Sequence, residues 1–122
     1  MSELIKVLVI DDDPIIRELV STSLKFMGYE PFTASNGKAA FDIFQRELPQ
    51  LVFVDKRLPG LSGDSIVEQL REWNPNLYIV TVSGECVPLN GSKGVLQKPF
   101  TNNQLLEVLE NASNYIYTDS SF

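Results

Sequence analysis

The stretch Leu51-Val52-Phe53-Val54-Asp55 limits what this chain can fold into more than any other. Four apolar residues run unbroken into one aspartate. Without polar alternation, such a run reads as a strand buried on both faces, as in the centre of a parallel sheet. An acid at its C-terminal end stands at the carboxyl edge, where open α/β sheets gather their chemistry. The turn that follows, Lys56-Arg57-Leu58-Pro59-Gly60, has proline and glycine punctuation. Asp55 is therefore the first candidate functional residue, read as a nucleophile that accepts a phosphoryl group.

The rest of the chain arranges itself around that strand. Ile5 to Ile10 is a second buried run and ends in Asp11-Asp12-Asp13-Pro14. Asp13-Pro14 predicts a helix start, an acidic N-cap followed by proline at the first helical position. Ile16, Leu19, Val20, Ser23, Leu24 and Met27 follow at helical spacing, and Gly28 ends the helix. Glu30 to Ala34 is a weak strand whose Pro31 cannot donate to a ladder, which predicts an edge position. Asn36 is the expected cap of a second helix, with Ala40, Phe41 and Phe44 inward and Leu48-Pro49 closing it. Gly63-Asp64 opens a third helix with Ile66, Val67, Leu70 and Trp73 on one face. Leu77 to Val82 is another buried strand leading into Ser83-Gly84, and Val95-Leu96-Gln97 is a short one reaching Lys98-Pro99. Thr101 caps a last helix with Leu105, Leu106, Leu109 and Ala112 inward. Trp73 and the phenylalanines are expected in the core. Residues 1–115 form the expected domain, and 116–122 read as a tail or the start of a linker.

Five strands alternating with helices predict an α/β fold, a parallel sheet with helices on both faces. With Pro31 at an edge and Asp55 central, right-handed crossovers favour the flavodoxin-like order 2-1-3-4-5. One connection departs from that plan. Residues 84 to 94 hold three glycines and a proline and show no helical periodicity. A parallel crossover normally takes a dozen or more residues and a helix. The helix between the fourth and fifth strands is expected to be absent or about one turn long.

Composition removes several classes of function. The chain has 122 residues, no histidine and one cysteine, Cys86. Histidine-based zinc sites, Ser-His-Asp triads and a phosphohistidine in this chain are excluded. A net charge of −6 argues against gripping nucleic acid, which needs lysine and arginine against phosphates. No apolar run approaches a membrane span, and Met1-Ser2-Glu3-Leu4-Ile5-Lys6 lacks the pattern of a signal peptide. A lone cysteine, read as an incidental loop thiol, fits a reducing cytoplasm.

At the carboxyl edge the fold would gather Asp11 and Asp12, Asp55, Ser83 and Lys98. Three crowded carboxylates repel one another, and a hard divalent cation relieves the repulsion. Oxygen ligands without histidine or cysteine favour Mg²⁺ or Mn²⁺. Ser83 would donate a hydrogen bond to a phosphoryl oxygen, and Lys98 would supply positive charge. The plainer readings are that Asp11 and Asp12 are solvated turn acids, Ser83 a turn cap and Lys98 a surface lysine. Asp13 is taken as a helix cap only.

Together, Val9-Ile10-Asp11-Asp12-Asp13-Pro14, Val54-Asp55 with Pro59-Gly60 and Gly63, Ser83-Gly84 and Lys98-Pro99-Phe100 resemble the receiver domains of bacterial two-component response regulators. The resemblance runs to about Tyr115. It implies a signalling phosphoacceptor rather than an enzyme acting on an external substrate. Asp55 would take phosphate from the phosphohistidine of a sensor histidine kinase or a phosphotransfer protein. Asp12, Asp55 and the Arg57 carbonyl would ligate Mg²⁺, with Asp11 acting through water. Ser83 and Lys98 would bind the phosphoryl oxygens, Lys98-Pro99 would be cis, and a downstream output protein or domain would read a shift between two conformations. A homodimer is left open.

Two positions depart from the family pattern. The usual aromatic three residues before the lysine is Val95, which has no ring to rotate, and the missing helix belongs to the usual output face. The Gly84 to Gly94 loop is expected to order or move instead. Arg57 and Glu85 each follow a site residue by two positions, so a salt bridge between them over the phosphoryl site is expected to modulate its hydrolysis. Two other functions stay open. One is a pseudo-receiver that binds partners without phosphorylation, which Val95 and the missing helix favour. The other is a haloacid-dehalogenase-type phosphohydrolase, to which Asp11-Asp12-Asp13 offers a D-x-D; that reading lacks a later acid pair and a cap domain.

Overall fold

Every residue of Leu51–Asp55 is buried, as a strand covered on both faces requires. A computed structural model describes residues 4–85 and 87–119. Cys86, Met1-Ser2-Glu3 and the Phe122 end of the expected tail lie outside the described residues. The strands are β1 (Lys6–Ile10), β2 (Glu30–Ala34), β3 (Leu51–Asp55), β4 (Tyr78–Ser83) and β5 (Gly94–Gln97). All pair in parallel in the order β2-β1-β3-β4-β5. Pro31 lies on the edge strand β2, where its missing N–H costs no central ladder bond.

Helices α1 (Pro14–Phe26), α2 (Gly37–Glu47), α3 (Gly63–Trp73) and α4 (Asn102–Asp119) cover the sheet. The side chains of Asp13, Asn36 and Ser62 accept backbone N–H bonds at the first three N-termini. Thr101 and Gln104 cap α4 reciprocally, each side chain bonding the other's backbone N–H. Strand residues alternate between two cores. Val7, Val9, Phe53, Val80 and Leu96 meet Val20 and Leu24 of α1 and Leu105 and Leu109 of α4. Leu8, Ile10, Val52, Val54 and Ile79 meet α2 and α3 through Ala40, Phe44, Ile66 and Leu70.

Among the described residues, four expected in the core are instead exposed: Leu19 at 51%, Phe26 at 92%, Trp73 at 40% and Leu106 at 41%. Each helix buries one stripe, and successive residues are rotated by about 100° around the axis. Leu19 and Leu106 sit one position from the buried Val20 and Leu105, and Phe26 sits two from Leu24, so all three point off the stripe. Trp73 stacks on Phe44 and meets Phe41 edge to face, with one side left in solvent. The tail expected from 116 begins inside α4, where Ile116 is buried and Tyr115 packs on Tyr78.

Among the described residues, no helix joins β4 to β5, as the glycine-rich stretch implies. The connection is nonetheless tied down. Leu89, 4% exposed, fills the α2/α3 side of the core. Its N–H donates to the buried Thr81 Oγ1 at 2.9 Å. Arg71 of α3 donates to the Gly91 carbonyl and to the carbonyls of Pro75 and Leu77. Lys93 N–H and Ser92 Oγ both donate to the Ile79 carbonyl. One leucine and a few polar ties thus do what a helix would. Leu89→Ala should cost about 2–4 kcal/mol in urea unfolding, a buried leucine leaving a cavity. Val87→Ala, at a site 55% exposed, should cost under about 0.5 kcal/mol. Equal losses would mean that Leu89 does not close the core.

Candidate functional site

The site is built where β1, β3, β4 and β5 end together. Asp11 follows β1 directly and is 2% exposed. Its N–H donates to the Ala34 carbonyl at 3.1 Å, and its carboxylate Oδ1 accepts the Asp13 N–H at 2.9 Å. That leaves Oδ2, which is buried, lies 2.9 Å from Lys98 Nζ and, among the described residues, has no hydrogen-bond donor. Asp12, next in the turn, faces solvent. Asp13 turns away: its carboxylate caps α1 through the Ile15 N–H. The D-x-D needed by a dehalogenase-type site therefore does not assemble.

Asp55 ends β3 and is 7% exposed. One carboxylate oxygen accepts the Arg57 N–H at 3.2 Å; the other lies 3.6 Å from Lys98 Nζ. Carboxylate oxygens of Asp11, Asp12 and Asp55 all fall within 4.8 Å of one another. Burial pushes the Asp55 carboxyl up from 3.8 to about 6, aided by the negative charge of Asp11 and opposed by the Arg57 N–H and Lys98. Burial also pulls the Lys98 ammonium down, but its contacts with Asp11 and Asp55 outweigh that and hold it above the ordinary lysine value. Three acids against one ammonium, with a buried oxygen neutralised by charge alone, is an oxygen-only donor set that fits a hard divalent cation.

Ser83 ends β4, 4% exposed, and its Oγ accepts the Glu85 N–H at 3.1 Å. The hydroxyl hydrogen is left free to donate. Lys98 is placed by its own N–H, which donates to the Ser83 carbonyl at 2.7 Å. The Lys98–Pro99 bond is cis. Arg57 and Glu85 form the expected ion pair, at 3.0 Å, between two exposed side chains. Val95 is half-buried in β5, opposite Thr81.

Three further residues shape the edge, and of these the sequence marked only Gly63, as the start of the third helix and part of the motif set. A Cβ on Gly63 would stand 3.1 Å from the Asp55 carbonyl, 3.2 Å from that of Lys56 and 2.9 Å from Leu89 Cδ1, so only glycine lets α3 begin so close to the strand end. Thr81 holds the β4–β5 loop. Arg17 of α1 donates to the Asp11 carbonyl at 2.8 Å. The signal for Arg17 was a basic residue one turn after an acidic cap. A cleft of about 500 Å³ between Phe44, Leu48 and Trp73 lies at the C-terminal ends of α2 and α3 and holds none of these groups.

Comparison with known proteins shows the family and the fold. The family model of the response regulator receiver domain matches residues 7–110. A probable transcriptional regulator, ycf27 of Porphyra purpurea, is 38% identical over 106 residues, covering 82% of this chain and 44% of that protein. Sporulation initiation phosphotransferase F of Bacillus subtilis is 32% identical over 112 residues, covering 86% of this chain and 90% of that one. The chemotaxis protein CheY4 of Vibrio cholerae superposes with a TM-score of 0.85 at 29% identity, over 90% of this chain and 99% of that structure. The chain thus spans less than half of the first relative and nearly all of the other two. Among the described residues, no helix is long and apolar enough to cross a membrane.

Proposed function

The chain belongs to the response regulator receiver domain family of two-component systems, whose general function is phosphorylation on an aspartate, and on that premise we propose that Asp55 is its phosphoacceptor. The observation that carries the reading is the placement of the Asp55 carboxylate, buried at the end of the central strand with Lys98 Nζ 3.6 Å away and oxygens of Asp11 and Asp12 within 4.8 Å. The phosphoryl donor is the phosphohistidine of a sensor kinase or a phosphotransfer protein. An Asp55 oxygen attacks phosphorus, the P–N bond breaks, and its electron pair stays on the imidazole nitrogen. The Arg57 N–H and Lys98 fix the carboxylate so that it need not reorganise as it reacts. Lys98 balances negative charge on the arriving group. The Ser83 hydroxyl, already accepting from Glu85, donates its hydrogen to a phosphoryl oxygen.

Receiver domains generally bind Mg²⁺ at an acidic pocket. Here Asp12, Asp55 and the Arg57 carbonyl, with Asp11 beside them, are the groups that would hold Mg²⁺ or Mn²⁺. Such a cation supplies charge that neutralises the phosphoryl oxygens during transfer. Asp55 phosphate would then be read by a downstream output protein or domain, and the reading places the domain in the cytoplasm.

The test is intact mass after incubation with acetyl phosphate. A labile phosphoryl adduct should form with Mg²⁺ and not with chelator. Folded protein that takes up nothing at any Mg²⁺ concentration would favour the pseudo-receiver, an interaction module without phosphorylation.

The Arg57–Glu85 bridge spans the two loops that flank Asp55 and Ser83. It limits the approach of water to the acyl phosphate. Arg57→Ala and Glu85→Ala should each speed dephosphorylation by roughly threefold or more through admitted water. Thermal stability should barely change, because the pair is exposed. Dephosphorylation at the wild-type rate in both variants would remove the bridge from the account.

A further inference from the structure

The three residues between β1 and α1 deliver two of the site's carboxylates, and they are not held equally. Asp11 is held by two hydrogen bonds and an ion pair. Its N–H meets Ala34, its Oδ1 meets the Asp13 N–H, and its Oδ2 faces Lys98. Among the described residues, no hydrogen bond or ion pair holds the Asp12 carboxylate, which is exposed. Its position is set by the backbone that leads into it. That backbone is the Asp11–Asp12 peptide, and its carbonyl, Asp11 O, takes the Arg17 Nη1 hydrogen bond at 2.8 Å. Arg17 is half-buried, and its own N–H donates to the Asp13 carbonyl at 3.1 Å. The backbone bond is the ordinary first-turn bond of α1, so what the arginine itself adds is the side-chain bond to the Asp11 carbonyl.

We propose that Arg17 is a positioning residue for the cation site: its bond to the Asp11 carbonyl fixes the plane of the Asp11–Asp12 peptide and so aims the Asp12 carboxylate at the cation. The proposal rests on the reading of Asp12 as a cation ligand. Without the guanidinium the peptide is free to rotate, and Asp12 has no side-chain partner to hold it in place. Asp11 keeps its other three contacts, so the loss falls on aim rather than on the fold. A lysine carries the charge but offers a mobile single point in place of a planar, pre-oriented donor.

Mn²⁺ binding read by electron paramagnetic resonance, with no phosphoryl donor present, tests this. Arg17→Ala should bind Mn²⁺ about tenfold more weakly than the wild type, as loss of a partner orienting a ligand does. Arg17→Lys should fall between. Acetyl phosphate labelling should need correspondingly more Mg²⁺ for half its maximal rate, with the rate at saturating Mg²⁺ changed by less than about twofold. A purely structural arginine would lower the metal-free melting temperature and leave Mn²⁺ affinity unchanged. That result overturns the proposal. If Arg17→Ala does not fold, Arg17→Gln takes its place, and wild-type affinity in that variant overturns the proposal equally. A wild type that binds no Mn²⁺ defeats the cation reading itself, and the proposal with it, and is told apart by the wild-type measurement alone.

Discussion

Asp55→Asn takes up no phosphoryl group and, without metal, is more stable than the wild type at neutral pH. The first effect follows from replacing an anionic nucleophile by an amide, and adduct formation should fall by at least about 10³-fold. The second follows from where Asp55 sits. Its carboxyl is raised from 3.8 to about 6 by burial and by Asp11, so the folded protein favours the protonated form. Folding is not burdened below about pH 3, where Asp55 is protonated both folded and unfolded. The burden grows as pH rises through that window and is complete above about pH 6, reaching on the order of 3 kcal/mol. An asparagine resembles the protonated acid and carries no such burden. Urea midpoints of the two metal-free proteins should therefore converge near pH 3 and separate by pH 7, with Asp55→Asn the higher. Coincident midpoints at pH 7 would mean that the site does not strain against its own charge.

Lys98→Ala should slow phosphorylation at saturating Mg²⁺ by about 100-fold, the loss expected when one preorganised charge facing the transferring group is removed. Lys98 is 2.9 Å from Asp11 and 3.6 Å from Asp55, and it is the ammonium against both buried acids. Its removal leaves Asp11 Oδ2 buried without a compensating charge, at a cost of about 1–3 kcal/mol in the metal-free protein. Asp55 loses one of the two influences that lower its pKa, so its carboxyl should rise further. Quenched-flow mass measurement of adduct formation reads the first effect, and chemical unfolding reads the second. Wild-type phosphorylation in Lys98→Ala would take the lysine out of the chemistry.

Much of this was legible because the informative residues are local and periodic. The unbroken apolar run of β3 gave a strand buried at all five positions, and Pro31 gave an edge. The acids, Ser83 and Lys98 sit at strand ends, so strand order alone brought them together. The Arg57–Glu85 pair could be read because each residue lies two beyond a strand-end group. Leu19 and Leu106 were misjudged because apolar spacing alone does not choose between neighbours about 100° apart on a helix, and Phe26 because residue type alone does not decide burial. The ties that hold the helix-free connection were not legible at all. Arg71 meets the carbonyl of Gly91 twenty residues on, and Thr81 meets the amide of Leu89. Bonds from a side chain to a distant backbone leave no period in the sequence. The same holds for Arg17, whose partner is the Asp11 carbonyl rather than a carboxylate.

Borohydride trapping addresses the central claim most directly. An aspartyl phosphate is reduced to homoserine, whereas a free carboxylate is untouched, so peptide sequencing by mass spectrometry locates the acceptor. After acetyl phosphate and Mg²⁺, homoserine should replace Asp55 and no other acid. Reduction at Asp11, Asp12 or Asp13 instead, or a bound phosphoryl group with no reduced aspartate, would contradict the assignment of Asp55 as the phosphoacceptor.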